Sequence, residues 1–231
     1  MTAGTANGQA RKLIIAIDGV VGSGKSTTAR RVADELGYRH LDTGAMYRAV
    51  TLAALRKGVG AADERGLADL LAALTIELEP QNLGGRIRLD GEDVSNEIRM
   101  PEVSRGVGPY ADVPLVRRAL VAQQQAMGAG GGVVADGRDI GYVVFPDADL
   151  KVLLTADLGT RAERRYRELN EKGVNTSRGE VEADIRKRDR ADSDRDYGAE
   201  RDAEKTRVLD TTALTIEEQV ARIVSWARDC L

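Results

Sequence analysis

With 231 residues, 42% of them hydrophobic and 31% charged, the chain has the balance of one large globular α/β domain with insertions, or one domain plus a small subdomain. A net charge of −3 and only 3% aromatic residues argue against a nucleic-acid surface, which needs a basic face and stacking rings. One cysteine, Cys230, and one histidine, His40, rule out an intrachain disulfide and a histidine metal cluster, and the single cysteine fits a reducing, cytoplasmic setting.

Residues 1–11 are small and polar without a signal-peptide pattern, so they read as a disordered leader before a single domain at 12–231. No stretch is apolar for long enough to cross a bilayer. Residues 13–17 form an apolar, β-branched run expected to be a buried strand. The run stops at Gly19, and Gly19 to Ser26 matches G-x-x-x-x-G-K-[ST], followed by a helix at 27–36 with Ala29, Val32, Ala33 and Leu36 on one face. An ordinary glycine-rich turn could carry part of this pattern, but a strand before it and a helix after it point to a nucleoside-triphosphate site. Successive N–H groups of Gly19, Val20, Val21, Gly22, Ser23, Gly24, Lys25, Ser26 and Thr27 would cradle phosphate. Lys25 would reach the β- and γ-phosphates, and Ser26 would ligand Mg²⁺.

Gly37 is expected to cap that helix. Residues 38–41 read as a second strand ending at Asp42-Thr43-Gly44, and 45–57 as a helix with Met46, Val50, Ala53 and Ala54 inward, stopped by Gly58. A further helix is expected from about 63 to 74. Residues 76–79 and 86–91 alternate around a turn at 81–85, which predicts an antiparallel hairpin within an inserted subdomain at about 63–101. Asp112 and Pro114 open a helix to about 127. Residues 133–135 form a third strand running into Asp136-Gly137-Arg138-Asp139. A fourth lies at 151–155, with Asp157 capping the helix after it, and a fifth at 207–210. Thr215 to Glu218 is a capping box for a last helix with Val220, Ile223, Val224 and Trp226 inward. Between strands four and five lies a very charged helical region at about 161–201. Strands alternating with helices predict a five-stranded, parallel, doubly wound sheet that binds ligands at the carboxyl ends of its strands.

No N-K-x-D stretch for guanine is present, and a simple ATPase has no second anion to hold. The many arginines at crevice positions, Arg48, Arg99, Arg117, Arg138, Arg161, Arg165, Arg188 and Arg195, suit two phosphorylated ligands meeting head to head. The run at 185–195 could be no more than a solvated helix laced with i,i+4 pairs. However, Arg188, Asp192 and Arg195 share one helical face, and Arg161 and Arg165 do likewise on the preceding helix. A lid that closes over a triphosphate would use such groups to stabilise charge and exclude water.

The glycine-rich loop, Leu41-Asp42-Thr43-Gly44-Ala45-Met46-Tyr47-Arg48, Gly91-Glu92-Asp93-Val94-Ser95-Asn96-Glu97-Ile98-Arg99, Ala135-Asp136-Gly137-Arg138-Asp139-Ile140-Gly141, Val144-Phe145-Pro146-Asp147-Ala148 and the stretch from Arg188 to Arg195 together resemble bacterial cytidylate kinases, in order and over nearly the whole chain. The resemblance implies transfer of the ATP γ-phosphoryl group to CMP or dCMP with Mg²⁺, by a cytoplasmic monomer without nucleic-acid or membrane partners. It also implies a nucleoside-monophosphate-kinase core with a CMP-binding insert, to which the hairpin would belong, and a helical lid at about 158–201. Carried over residue by residue, Thr43, Asp139, Arg117 and Arg195 resemble the family's cytosine and CMP contacts, Arg188 and Asp192 its ribose contacts, and Arg48 and Arg138 its CMP-phosphate ligands. The family commonly has two serines four residues apart after the Glu-Ile-Arg motif. This chain keeps Ser104 and has Gly108 in the second place.

The acceptor is a phosphate monoester, already nucleophilic at neutral pH. Catalysis is therefore expected from Lys25, Mg²⁺ and the lid arginines Arg161, Arg165 and Arg188 rather than from a strong base. Asp136 is expected to support the metal beside Ser26, the alternative being a structural turn aspartate. Two rival readings are a regulatory protein that senses nucleotide without turnover and a kinase for UMP or another small acceptor.

Overall fold

The computed structural model describes residues 12–79, 85–171, 173–193 and 205–231. The leader expected at 1–11 lies outside them. Five parallel strands, β1 (Ile14–Gly19), β2 (Arg39–Asp42), β6 (Val133–Gly137), β7 (Leu150–Thr155) and β8 (Thr206–Asp210), form one sheet in the order β2-β6-β1-β7-β8. β1 is central and β-branched because both of its faces are covered, which removes any polar alternation from its sequence. On one face lie α1 (Lys25–Leu36) and α8 (Ile216–Arg228), packing Ala29, Val32, Ile223 and Val224 against Ile15, Ile17 and Val152. On the other face, α2 (Thr43–Lys57), α3 (Glu64–Ala73), α4 (Pro101–Ala111) and α5 (Pro114–Gly128) share a core built on Met46, Val50, Leu67, Val103, Leu120 and Phe145. The sheet is thus doubly wound, as expected.

The register positions the site. Asp18 of β1 pairs with Gly137 of β6, and Asp42 of β2 pairs with Asp136, so three strands end level with one another. The loops after β1 and β6 therefore open side by side at one edge. The antiparallel hairpin is also present, as β3 (Ile76–Leu78) and β4 (Ile87–Leu89). A third strand, β5 (Glu92–Asp93), extends it and was not anticipated.

Other elements depart from expectation for identifiable reasons. The helix expected at 45–57 starts at Thr43, because the Asp42 carboxylate accepts from the Ala45 amide at 2.8 Å and caps it. α4 was not foreseen at all, since Gly106, Gly108 and Pro109 disfavour a helix by propensity. Packing outweighs that: Val103 and Tyr110, two turns apart, are buried together, and the Tyr110 hydroxyl donates to the Val59 carbonyl at 2.8 Å. Trp226 packs against the core as expected but is only partly buried, and the Arg207 guanidinium lies 5.3 Å from its ring centre. The capping box forms as expected, with the Thr215 hydroxyl and the Glu218 carboxylate each meeting the other's amide.

Within the charged region, α6 (Leu158–Glu171) and α7 (Arg178–Ser193) pack as a pair. They enclose an apolar cluster of Ala162, Val181 and Ile185, joined by Leu158, Tyr166, Leu169 and Val21 of the glycine-rich loop. Among the described residues, no helix is long and apolar enough to cross a membrane.

Candidate active site

The loop between β1 and α1 wraps back on itself, with the Ser23 amide and hydroxyl both donating to the Val20 carbonyl, at 3.3 and 2.9 Å. Gly22 has φ +77° and a β-carbon there would sit 3.0 Å from that of Arg161, so sterics as well as backbone conformation demand glycine. The half-buried Lys25 holds its Nζ 3.4 Å from the Val20 carbonyl. Burial first, and the nearby Arg138 guanidinium second, push Lys25 down to about 7, against the pull of Asp136, Asp42 and Asp192.

Behind the lysine, the Ser26 hydroxyl donates to Asp136 Oδ2 at 2.5 Å, and His40 Nε2 donates to Asp136 Oδ1 at 2.8 Å. Burial pushes Asp136 up, but the His40 hydrogen bond and the charges of His40 and Lys25 outweigh it, leaving the carboxyl below the usual range. Burial likewise pushes His40 down, and Asp136 more than reverses this. The sequence reading gave His40 no role. Its one available signal was its place on β2, two residues before Asp42, where the strand runs beside β6. A hydroxyl and a carboxylate side by side are hard oxygen donors, and among the described residues no cluster of three His, Cys, Asp or Glu could cage a metal. That donor set fits Mg²⁺, which keeps water and phosphate oxygens as most of its ligands. A cavity of about 110 Å³ opens against Ser26 and His40, lined also by Thr27, Asp42 and Arg99 among others.

Where β2 runs into α2, Arg48 Nη2 lies 3.4 Å from Asp42 Oδ2, and Arg99 approaches the same oxygen at 3.9 Å. Arg48 Nε is buried with no hydrogen-bond partner among the described residues, a cationic donor that an anion would complete. Thr43 turns its hydroxyl to the Asp136 carbonyl at 2.8 Å. Arg117 pairs with Asp139 through Nη2 and Oδ2. Arg138 reaches two ways, Nε to Asp192 Oδ2 at 2.7 Å and Nη1 to the Gly19 carbonyl at 2.5 Å.

The α6–α7 pair closes over these groups. Arg188 donates to the Ser104 carbonyl at 2.9 Å and lies 3.4 Å from Asp184, within electrostatic reach of Arg165, Arg138 and Asp192. Arg165 itself pairs with Glu168 on its own helix. Arg161 is buried and holds Asp189 through two bonds of 3.0 and 2.7 Å, with further donation to the carbonyls of Val21 and Ala156. These contacts link Lys25, Ser26, Asp136, Thr43, Arg48, Arg138, Arg188 and Asp192 about the ends of β1, β2 and β6, with Arg117 and Asp139 paired beside them. Arg165 lies within electrostatic reach of Arg188, and Arg161 donates to the glycine-rich loop. Arg195 lies outside the described residues.

Residues 15–229 match the family model for cytidylate kinase. A cytidylate kinase of Pelotomaculum thermopropionicum is 48% identical over 212 residues, 91% of this chain and 94% of that relative. One from Symbiobacterium thermophilum is 45% identical over 229 residues, 99% of both chains. A solved structure of a protein from Eubacterium ventriosum, 11% identical, aligns over 95% of this chain and 99% of its own with a TM-score of 0.51, a likeness of fold alone.

Proposed function

This chain belongs to the cytidylate kinase family, and from that membership we propose how its residues divide the phosphorylation of CMP by ATP among them. It is a phosphotransferase: a bond forms between an oxygen of the CMP phosphate and the γ-phosphorus of ATP, the bond from that phosphorus to the β,γ-bridging oxygen breaks, and CDP and ADP leave. The observation that carries the division of roles is a juxtaposition. The glycine-rich loop after β1 and the 136–139 segment after β6 open side by side, one lined with N–H groups and Lys25, the other with Arg138 and Asp139.

In this reading residues 19–27 hold the ATP phosphates, with Lys25 on the transferred group. Ser26 and Asp136 hold Mg²⁺, which when bound supplies positive charge at the triphosphate. Arg48 and Arg138 hold the acceptor phosphate, a role supported by the buried, partnerless Nε of Arg48. Held this way, the acceptor oxygen faces the γ-phosphorus without any base to activate it, since the monoester dianion is already the nucleophile. Arg161, Arg165 and Arg188 offset charge that spreads over the phosphoryl oxygens in transfer. Arg188 and Asp192, with Arg195, contact the CMP sugar and base, and Thr43 contributes its hydroxyl nearby. We assign residues 63–101 to the acceptor-binding insert and 158–201 to the lid, in a cytoplasmic monomer that works on small molecules alone.

Asp139 and Arg117 read the base. Cytosine presents an exocyclic amine as donor with N3 and O2 as acceptors, which match a carboxylate and a guanidinium. Uracil presents O4 as an acceptor to the carboxylate and N3–H to the guanidinium, leaving both groups unpaired in a closed pocket. Such mismatches cost on the order of a few kcal/mol, enough for a large preference.

Coupled ADP release over a panel of CMP, dCMP, UMP and other monophosphates tests the whole reading, with CMP and dCMP expected to lead. An ADP signal that does not depend on the acceptor would favour a nucleotide sensor. Asp139→Asn should lower kcat/KM for CMP and narrow the CMP/UMP ratio, because an amide can turn either way. If both activities fall by the same factor, Asp139 has no part in base recognition.

A further inference from the structure

Asp18 sits at the carboxyl end of β1 and makes none of the phosphate contacts assigned above, yet its side chain is almost wholly enclosed. Its Oδ1 accepts from the Ile140 amide at 2.8 Å and its Oδ2 from the Gly141 amide at 2.9 Å. These are the first two amides of the wide turn Ile140–Val144, and the start of a helical turn has no carbonyls of its own to offer them. The carboxylate therefore caps the turn from another strand. Gly141 lies directly against this carboxylate: a β-carbon there would stand 3.4 Å from Asp18 Oδ2, an ordinary contact, and 3.3 Å from the Lys151 side chain. The residue before the capped amides is Asp139, whose carbonyl accepts from the Val143 amide at 2.8 Å and whose side chain meets Arg117. A second tie runs the opposite way, from Arg138 Nη1 to the carbonyl of Gly19, the residue next to Asp18.

We propose that Asp18 is a positioning residue for acceptor recognition: by holding the Ile140 and Gly141 amides it fixes Arg138 and Asp139 relative to the phosphate-binding loop. The inference rests on the assignment of Asp139 to the base. Each of the two N–H donors meets its own oxygen, and among side chains only a carboxylate offers two acceptor oxygens side by side. Asparagine would keep one bond and turn an NH₂ group against the other N–H. The charged groups around the carboxylate are Arg138 and Asp139, with the buried Lys151 side chain beside Gly141. Burial alone would favour the protonated acid, and the two amide bonds work against it.

The test compares Asp18→Asn, Asp139→Asn and the double variant by KM for ATP, kcat and KM for CMP and UMP, and melting temperature. For Asp18→Asn, KM for CMP should rise about tenfold and the CMP/UMP ratio of kcat/KM should fall, while KM for ATP stays within about twofold. The double variant should discriminate no worse than Asp139→Asn alone, since both substitutions spoil one contact. An unchanged ratio in folded Asp18→Asn, with a lowered ratio in Asp139→Asn, overturns the proposal by itself. An unchanged ratio in Asp139→Asn removes the base assignment and the proposal with it. Should Asp18→Asn fail to fold, Asp18→Glu keeps the charge but displaces both oxygens from the Ile140 and Gly141 amides by one methylene and must lower the ratio; if it leaves the ratio alone in a folded protein, Asp18 does not position the loop.

Discussion

Arg138 and Asp192 join across 54 residues of sequence, Nε to Oδ2 at 2.7 Å, and the bond links the end of β6 to the last turn of α7. Both are acceptor ligands in the proposed reading, in which the crevice neutralises its own charges before a substrate arrives. Arg117 and Asp139 do the same beside them. An incoming monophosphate exchanges one partner for another and does not enter a field of bare cations. The exchange limits how much each arginine adds to affinity, and it gives the lid a reason to rest closed.

Breaking that pair should therefore loosen the lid in the free protein. The two side chains are 25% and 17% exposed, between a surface pair and a buried one, so the bond is worth about 1 kcal/mol. Asp192→Asn is expected to raise amide hydrogen exchange across 178–193 about fivefold without ligand, leaving β1 and β6 unchanged. ATP and CMP together should add to the protection of this region in the wild type. Exchange across 178–193 that is equal in variant and wild type would make the pair incidental to lid closure.

The arginines of α6 separate by their surroundings. Arg161, enclosed and bound to Asp189 and two carbonyls, supports the glycine-rich loop from below, so Arg161→Ala should cost about 3 kcal/mol and lower the melting temperature visibly. Arg165 pairs with half-exposed Glu168 on its own helix, and Arg165→Ala should change stability by less than about 0.5 kcal/mol. If Arg165 turns to the phosphates on closure, kcat should still drop at least about tenfold. Thermal melts and steady-state kinetics on the two variants distinguish a supporting arginine from a transferring one.

Much of this was legible in the chain. The β-branched runs, the glycine-rich loop and the capping boxes act locally, so strands β1, β6 and β7 and helices α1 and α8 followed from sequence. α4 did not, because its glycines and proline contradict a helix locally, and only burial of Val103 and Tyr110 against other elements rescues it. At the site, residue types and spacing pointed to Lys25, Ser26, Arg138 and Asp139. His40 and Asp18 escaped notice because their meaning lies in what stands across the sheet. His40 faces Asp136, 96 residues away, and Asp18 faces amides more than 120 residues away. The apolar seam inside α6 and α7 was hidden by the surrounding charge, since Ala162, Val181 and Ile185 are too few to dominate the composition.

Lys25 offers a clean separation of chemistry from folding. Its value is pushed down to about 7, so at neutral pH the fold disfavours the ammonium relative to the unfolded chain. Lys25→Ala is expected to melt at or slightly above the wild-type temperature while kcat falls by about 10³. Near-normal turnover in a folded Lys25→Ala protein would end the assignment of phosphoryl transfer to this loop.

The ionisation of Asp18 should be visible in stability itself. Burial raises it from an ordinary 3.8 to about 6, despite the bonds from Ile140 and Gly141 that favour the charge. Between those values the folded protein binds more protons at this site than the unfolded chain does. The contribution of Asp18 is therefore fully present below about 4 and is lost as pH rises through about 6, a change of about 3 kcal/mol. Asp18→Asn cannot titrate there, so subtracting its urea-unfolding free energy from the wild-type value at each pH isolates the site from every other group. That difference should fall from pH 4.5 through about 6 and level off by 7.5, so the variant gains relative stability at neutral pH even as it loses acceptor discrimination. A difference that stays flat over this range would mean that burial does not disfavour the charge. Asp18 would then carry no stability cost at neutral pH for the position it gives Asp139.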